Sequence, residues 1–364
     1  MGQWQGKRVA ITGVCGTVGH ELLRQVVQMG PAEIIGLDNN ESDLFFVGEE
    51  YRSLGTVRVY LCDVRDRNAL IRKLEGVDIL LHAAALKHVI LCEQSPRDAI
   101  QTNIEGTQNI VEAALRNQVE RAVFTSSDKA VNPSSVMGTS KLMGERLMTA
   151  ANALRRDSRP LFASTRFGNV MGSRGSVIPL FKRQIAAGGP VTITHTAMTR
   201  FIMTLEDAVR LVLHCVFLAR GGEVFVTKMP VVRIPDLARV MIDELAPMHG
   251  LDPEDVNLEI IGTKPGEKMY EELMNEEEVR RTIELDRYFV VTPAFRSVFN
   301  DIEYAYPDTV RDTVDRPYNS SNMAPLSVED LRVYLRANGL LDPENPTAGG
   351  ESGTPSMVAA TRTE

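Results

Sequence analysis

A short apolar run, Arg8-Val9-Ala10-Ile11-Thr12, leads directly into Gly13-Val14-Cys15-Gly16-Thr17-Val18-Gly19. A helical pattern over 21–29 follows, with Leu22, Val26 and Met29 on one stripe. Few folds accept strand, glycine turn and helix in that order. Glycines at such a turn let the backbone approach a pyrophosphate held at the helix N-terminus. The spacing G-x-x-G-x-x-G departs from G-x-G-x-x-G, so the trio is a weak signal alone and its context carries the inference.

That context is repetition. Predicted strands at 33–37, 57–61, 77–81 and 121–126 alternate with helical segments through about residue 150. Such alternation specifies an α/β chain with a doubly wound parallel (Rossmann) sheet. Gly13, Gly16, Thr17, Val18 and Gly19 are the expected phosphate-binding turn. Asp38 lies 19 residues beyond Gly19, where an acid binds the adenosine ribose. Its charge repels a 2′-phosphate, so NAD is expected in preference to NADP, although Arg52 downstream suits a phosphate. The plainer reading of Asp38 is a turn. Asp63 and Val64 close the third strand, with Asp63 directed to the adenine edge or capping the next helix. The fourth strand runs into His82-Ala83-Ala84-Ala85, small residues that let a cofactor lie close. Lys87, counted toward both cofactor and substrate, and His88, on the substrate side, come next; for His88 a structural role is the alternative. Asn103, in a helix expected over 96–117, completes the cofactor set.

The stretch from Thr125 to Lys141 holds the chemistry. A buried strand sheds its apolar residues and delivers Ser126, Ser127, Asp128 and Lys129 at its C-terminal end. Ligands bind at that end in open α/β sheets. Asn132-Pro133 makes a turn, because the residue before proline avoids helical dihedrals. Met137 and Lys141 then sit four apart on one face of a helix. A polar loop capping that helix is the bland alternative.

A sixth strand at 161–166 exits through a glycine-rich run, Arg166 to Pro179, that carries Asn169, Ser173 and Arg174. Arg200 follows within Met198-Thr199-Arg200-Phe201. Guanidinium forks match phosphate oxygens, so these arginines are expected at a diphosphate, with surface ion pairs as the dull alternative. Later segments are shorter: helices at 205–219 and 234–245, a strand at 223–227, and a Gly-Pro turn leading into an acidic helix. The expected organisation is a dinucleotide-binding domain over 1–170, to which later elements return. A substrate-binding lobe spans 171–342, and a disordered polar tail spans 343–364.

Composition narrows the partners. The 364 residues carry a net charge of −8 without a long basic run, which disfavours nucleic acid and anionic membranes. Cys15, Cys62, Cys92 and Cys215 form no C-x-x-C pair, and six histidines lack ligand spacing, so neither disulfides nor a metal site is expected. No apolar run reaches the roughly 18 residues of a membrane span, and no signal peptide is visible. A soluble cytoplasmic protein is the expectation.

Several motifs together resemble the extended short-chain dehydrogenase/reductase family. They are the glycine trio with Asp38, Ala83 to Val89, Asn103 to Thr107, Ser127-Asp128-Lys129-Ala130-Val131-Asn132-Pro133, Arg166 to Pro179, Met198 to Thr204 and Lys264 to Leu273. Within that family they are similar to the nucleotide-sugar 4,6-dehydratases of bacterial polysaccharide biosynthesis. The resemblance implies UDP-N-acetylglucosamine as the leading substrate, with a GDP sugar as the alternative. It implies Asp128 as the acid at sugar C6, Lys129 as the base at C5, Lys141 at the nicotinamide ribose, and Ser127 or Ser126 at the C4 hydroxyl. Asn169, Arg174 and Arg200 would hold the diphosphate, Ser173 belongs with the substrate-binding residues, and Glu267 would help seat the nucleotide. Relatives imply a homo-oligomer.

One departure matters. The family's tyrosine, four residues before the lysine, is Met137 here, and a thioether cannot take a proton. A subgroup of the dehydratases carries the same methionine, and retention at C5 goes with it. Two rivals remain. A 4-epimerase is disfavoured by the Asp-Lys pair and the missing tyrosine; a non-catalytic NAD-binding sensor is favoured by Met137 alone. A lysine of ordinary pKa, about 10.4, is a poor base. Burial, Lys141 and the nicotinamide charge are expected to lower that of Lys129.

Overall fold

The computed structural model describes residues 2–155, 159–173, 176–263, 266–295 and 302–342. Arg174, Lys264 and the tail over 343–364 lie outside them. A ten-stranded sheet organises the chain. Its parallel part contains β1 (Arg8–Thr12), β2 (Glu33–Asp38), β3 (Val57–Leu61), β4 (Ile79–His82), β5 (Arg121–Ser127), β6 (Leu161–Phe167) and the strand Val224–Thr227. Their order is β3-β2-β1-β4-β5-β6 and then Val224–Thr227. The chain winds outward from β1 to β3, then crosses back to β4. The crevice at that reversal is where ligands bind in doubly wound sheets.

Alternation along each strand supplies two faces. Val9 and Ile11 of β1 join Leu22, Leu23 and Val26 of helix α1 (Thr17–Gln28) in one core. Ala10, Leu80, Ala122 and Phe124 point the other way, onto Ile110, Val111 and Ala114. Both faces are dry, which is why these strands read as continuous apolar runs.

Beyond residue 171 the chain does two things. It extends the sheet antiparallel through Tyr288–Val291, Thr282–Leu285 and Thr309–Arg311. It also builds a separate core among helices Val177–Ala186, Ile234–Leu245 and Val328–Ala337. The acidic helix expected after the Gly-Pro turn is instead a strand, Glu272–Met274, paired with Tyr318–Asn319. Leu273 and Met274 are buried there, and the helical turn starts only at Glu276–Val279, where Asn275 forms a capping box with Glu278. The 96–117 helix contains a π-helical stretch, Ile100–Glu105, a feature often found at functional sites.

Candidate active site

The glycine turn makes a cradle that side chains would fill. Gly13 has φ +72°, and a Cβ there would lie 2.7 Å from Ala84 Cα. A Cβ on Gly19 would collide with the Gly13 carbonyl. Gly16 precedes α1, which has neither a side-chain cap nor an acidic residue in its first turn. Thr17 Oγ is buried there with no protein partner. Unpaired amides, a partial positive charge and an orphaned hydroxyl suit a bound diphosphate. Val18 packs on the core beneath. Half-buried Asp38 accepts from Cys15 N at 2.9 Å and Asn40 N at 3.0 Å, which holds its carboxylate at the mouth of the turn. Ala83 and Ala84, both half-buried, form the opposite wall. These residues fit a dinucleotide.

Three of the expected cofactor residues have partners within the protein. Asp63 receives the Arg65 guanidinium at 2.5 Å, which holds its carboxyl below the usual range. Val64 is buried against Gly106. Asn103 is also held within the protein. It is 2% exposed, its amide donates to Leu86 O and Ser140 Oγ, and its oxygen accepts from Leu86 N. An amide so engaged pins the loop before Lys87. Asn103 O also accepts from Thr107, whose hydroxyl lies 3.3 Å from His82 Nε2; His82 Nδ1 is 2.7 Å from Thr12 Oγ. Burial drives His82 down to about 3, so it stays neutral. This buried chain had no sequence signal.

The carboxyl end of β5 holds the reactive cluster. Asp128 is 1% exposed and accepts from Ser127 Oγ at 2.5 Å. Lys129 Nζ lies 3.1 Å from both Asp128 carboxylate oxygens and 3.6 Å from Glu271 Oε1. Glu271, 5% exposed, also faces Arg200 Nε at 3.3 Å. Glu267 reaches Arg200 at 3.6 Å. The lowered pKa expected for Lys129 is corrected by this arrangement. Burial would lower it, but Asp128 and Glu271 outweigh burial and hold the ammonium above its usual range. Glu271 is the residue the sequence reading missed. It lies four positions past Glu267 in the same motif, and nothing in its spacing shows that it turns inward. Burial and the Asp128 charge push it up to about 7, while Asp128 is held below its ordinary value by Lys129 against the pull of burial.

Lys141 sits deeper. Its Nζ donates to Thr125 O at 2.9 Å and lies 4.7 Å from the Phe124 ring. Burial brings it down to about 8. Met137 is buried one turn earlier with Cys92 and Ala99, an apolar filler where a phenol is absent. Ser126 Oγ is buried without a partner.

A cleft of about 610 Å³ opens over the cluster, lined among others by His88, Lys129, Asn169, Arg200, Glu267 and Glu271. Four of the expected substrate residues therefore share it: His88, Asn169, Arg200 and Glu267. Lys87 is exposed in the adjoining loop, and half-buried Ser173 sits in the turn after Val170. Arg166, read as an anion binder from its glycine-rich neighbourhood, is 1% exposed and clamped between Glu145 and Glu278.

Residues 9–293 match the model of the polysaccharide biosynthesis protein family. The chain belongs to that family. Relatives of this chain differ in name and size. An uncharacterized membrane protein of Methanocaldococcus jannaschii is 49% identical over 290 residues, covering 80% of this chain and 87% of that one. The inverting UDP-N-acetylglucosamine 4,6-dehydratase of Campylobacter jejuni is 36% identical over 304 residues, 83% of this chain and 87% of the enzyme. A UDP-glucose 4-epimerase of Rickettsia canadensis is also 36% identical, over 90% and 95%. The crystal structure of Pen from Bacillus thuringiensis superposes with a TM-score of 0.85 at 39% identity, covering 93% and 99% of the two chains. Against some larger curated relatives this chain spans only 46% of their length. Among the described residues no helix is long and apolar enough to cross a membrane.

Proposed function

We propose that the protein catalyses the NAD-dependent 4,6-dehydration of a nucleotide-activated N-acetylhexosamine, UDP-N-acetylglucosamine foremost, to a 4-keto-6-deoxy sugar. The observation that carries this reading is the Asp128–Lys129 pair, a carboxylate and an ammonium 3.1 Å apart beneath a sugar-sized cleft. The Campylobacter dehydratase supports it by similarity. In this reading residues 1–170 hold the dinucleotide and 171–342 the sugar nucleotide.

The turn Gly13–Gly19, Asp38, Ala83, Ala84 and Lys141 would hold NAD, which supplies the place for a hydride taken from C4 and later returned to C6. The rest falls to side chains. Ser127, donating to Asp128 at 2.5 Å, is placed to lead the C4 hydroxyl proton toward the carboxylate in the absence of a tyrosine. Lys129 takes the C5 proton, made acidic by the C4 ketone. Asp128 protonates the C6 oxygen as it leaves as water. Lys141, buried and cationic near neutral pH, adds positive charge at the cofactor's ribose. Asn169 and Arg200 would hold the diphosphate, with His88 on the substrate side and Glu267 helping to seat the nucleotide. A cytoplasmic homo-oligomer accompanies this reading, and light scattering tests its assembly.

Incubation with UDP-N-acetylglucosamine should yield a product lighter by one water and bearing a 4-ketone. GDP-N-acetylglucosamine run in parallel decides the base. The Rickettsia similarity favours a second reading, 4-epimerisation. An isomer of unchanged mass would establish it and exclude dehydration.

A further inference from the structure

The segment 266–275 carries Glu267, Lys268, Glu271 and Glu272, and its charges divide in two. Glu267 and Glu271 turn to Arg200, at 3.6 Å and 3.3 Å. Lys268 and Glu272, each one position further on, grip the chain just after the catalytic pair. Lys268 Nζ donates to Val131 O at 2.8 Å and to Glu272 at 3.3 Å. Glu272 accepts from Asn132 Nδ2 at 3.2 Å and 3.3 Å. Ser134 Oγ donates to Gly266 O at 3.2 Å.

The chain gripped there needs holding. Asp128–Ala130 is a single 3-10 turn. Asn132 then takes φ +42°, in the left-handed region that costs any residue but glycine, asparagine less than most. Val131 is 1% exposed, and a buried carbonyl requires a donor. Lys268 supplies one that carries charge, which makes the bond stronger. Gly138, in the helix Val136–Ala151, lies so close that a Cβ on it would collide with the Lys129 carbonyl. That helix therefore closes directly on the turn, and a shift at Val131 passes to Lys129 two residues earlier.

We propose that Lys268 is a positioning residue: its ammonium, bound to the Val131 carbonyl and to Glu272, holds the turn at Val131 and Asn132 so that Asp128 and Lys129 meet the sugar at the cleft. The kinetic consequence rests on the dehydratase reading; the hold on the turn does not. Lys268 also borders the cleft. Direct contact with the substrate is thus the competing role, and the two roles differ in what they do to kcat and KM.

Lys268→Met keeps the apolar stem and loses both bonds. Its kcat should fall about a hundredfold, the size expected when reacting groups are misplaced by about 1 Å. KM for UDP-N-acetylglucosamine should stay within a fewfold of wild type, and Tm within a few degrees. Lys268→Arg keeps the charge and can donate to both oxygens, so its kcat should return to within about tenfold of wild type. A loss confined to KM would make Lys268 a substrate ligand and overturn the proposal. Wild-type kcat in Lys268→Met, or an equal loss in both variants, would overturn it too. A second measurement needs no turnover. Hydrogen exchange read by mass spectrometry, without added substrate, should show residues 128–136 exchanging about tenfold faster in Lys268→Met than in wild type. The remote strand β3 should be unchanged. Unaltered protection at 128–136 sinks the proposal, as does faster exchange throughout the protein, which would mean global loosening. If wild-type protein removes no water, the dehydratase reading fails, and the exchange result still decides whether Lys268 holds the turn.

Discussion

Arg166 and Lys129 each sit between two carboxylates, and of this pair Lys129 lies under the cleft. Arg166 uses all five of its N–H donors, on both oxygens of Glu145, both of Glu278 and the carbonyl of Leu273. Its fork leaves nothing over, and neither carboxylate has room to change partners. Lys129 meets Asp128 and Glu271 with a rounder, shorter-reaching head, and its side chain remains 32% exposed. The charges are alike at the two sites; geometry separates them. A planar, permanently charged group locks its partners, whereas an ammonium can lose its proton to them. Lys141 is a third case. Glu145, the acid one turn away, is already taken by Arg166, so Lys141 is left with a carbonyl and a ring.

The sharpest way to break this contrast is Lys129→Ala. It should cut dehydration about a thousandfold or more while NAD still binds, read by mass spectrometry and by cofactor titration. Wild-type turnover in that variant would falsify the chemical role. Next in size, Arg166→Met should cost about 3–5 kcal/mol of stability, because it strands two buried carboxylates. Urea unfolding checks it, and Arg166→Lys should recover little, lacking the fork. A cost below about 1 kcal/mol would mean that the clamp is not closed.

Lys141→Met should move the other way. The folded pKa of Lys141, about 8, lies below its ordinary 10.5. Burying the charged form therefore costs stability in full below pH 8, and the cost shrinks as pH rises from 8 to 10.5. The variant should be more stable than the wild type at pH 7, by at most about 3 kcal/mol, and its Tm advantage should close across that window. It should also bind NAD less tightly. The smallest effect is expected from Met137→Tyr, which should fold and stay soluble at a cost of about 1–3 kcal/mol for overpacking against Cys92 and Ala99.

Legibility followed the same division. Backbone-made features were open to reading: β1 through β6 fall within two residues of their expected ends, and the glycine turn sits where strand and helix patterns meet. The Asp128–Lys129 pair was legible too, because a strand that ends in polar residues announces a sheet's working edge. What escaped depends on contacts distant in sequence. Arg166 and Arg200 look alike in the chain, each between a threonine and a phenylalanine, yet one is sealed and the other lines the cleft. Glu271 hid because a predicted helix would have spread the acids of 267–272 around its circumference. The strand Glu272–Met274 instead leaves Glu271 at the edge facing Lys129. The lowered pKa expected for Lys129 failed because two carboxylates flank it, Asp128 beside it in the chain and Glu271 3.6 Å away from a segment some 140 positions downstream.

The opening of α1 has a further consequence. The amides there lack a side-chain cap and the Thr17 hydroxyl lacks a partner within the protein, so whatever docks there acts as part of the fold. A dinucleotide at a hundred times its Kd would add about 2.7 kcal/mol. The survival of the protein in a cell would then track the supply of that metabolite as well as its own sequence.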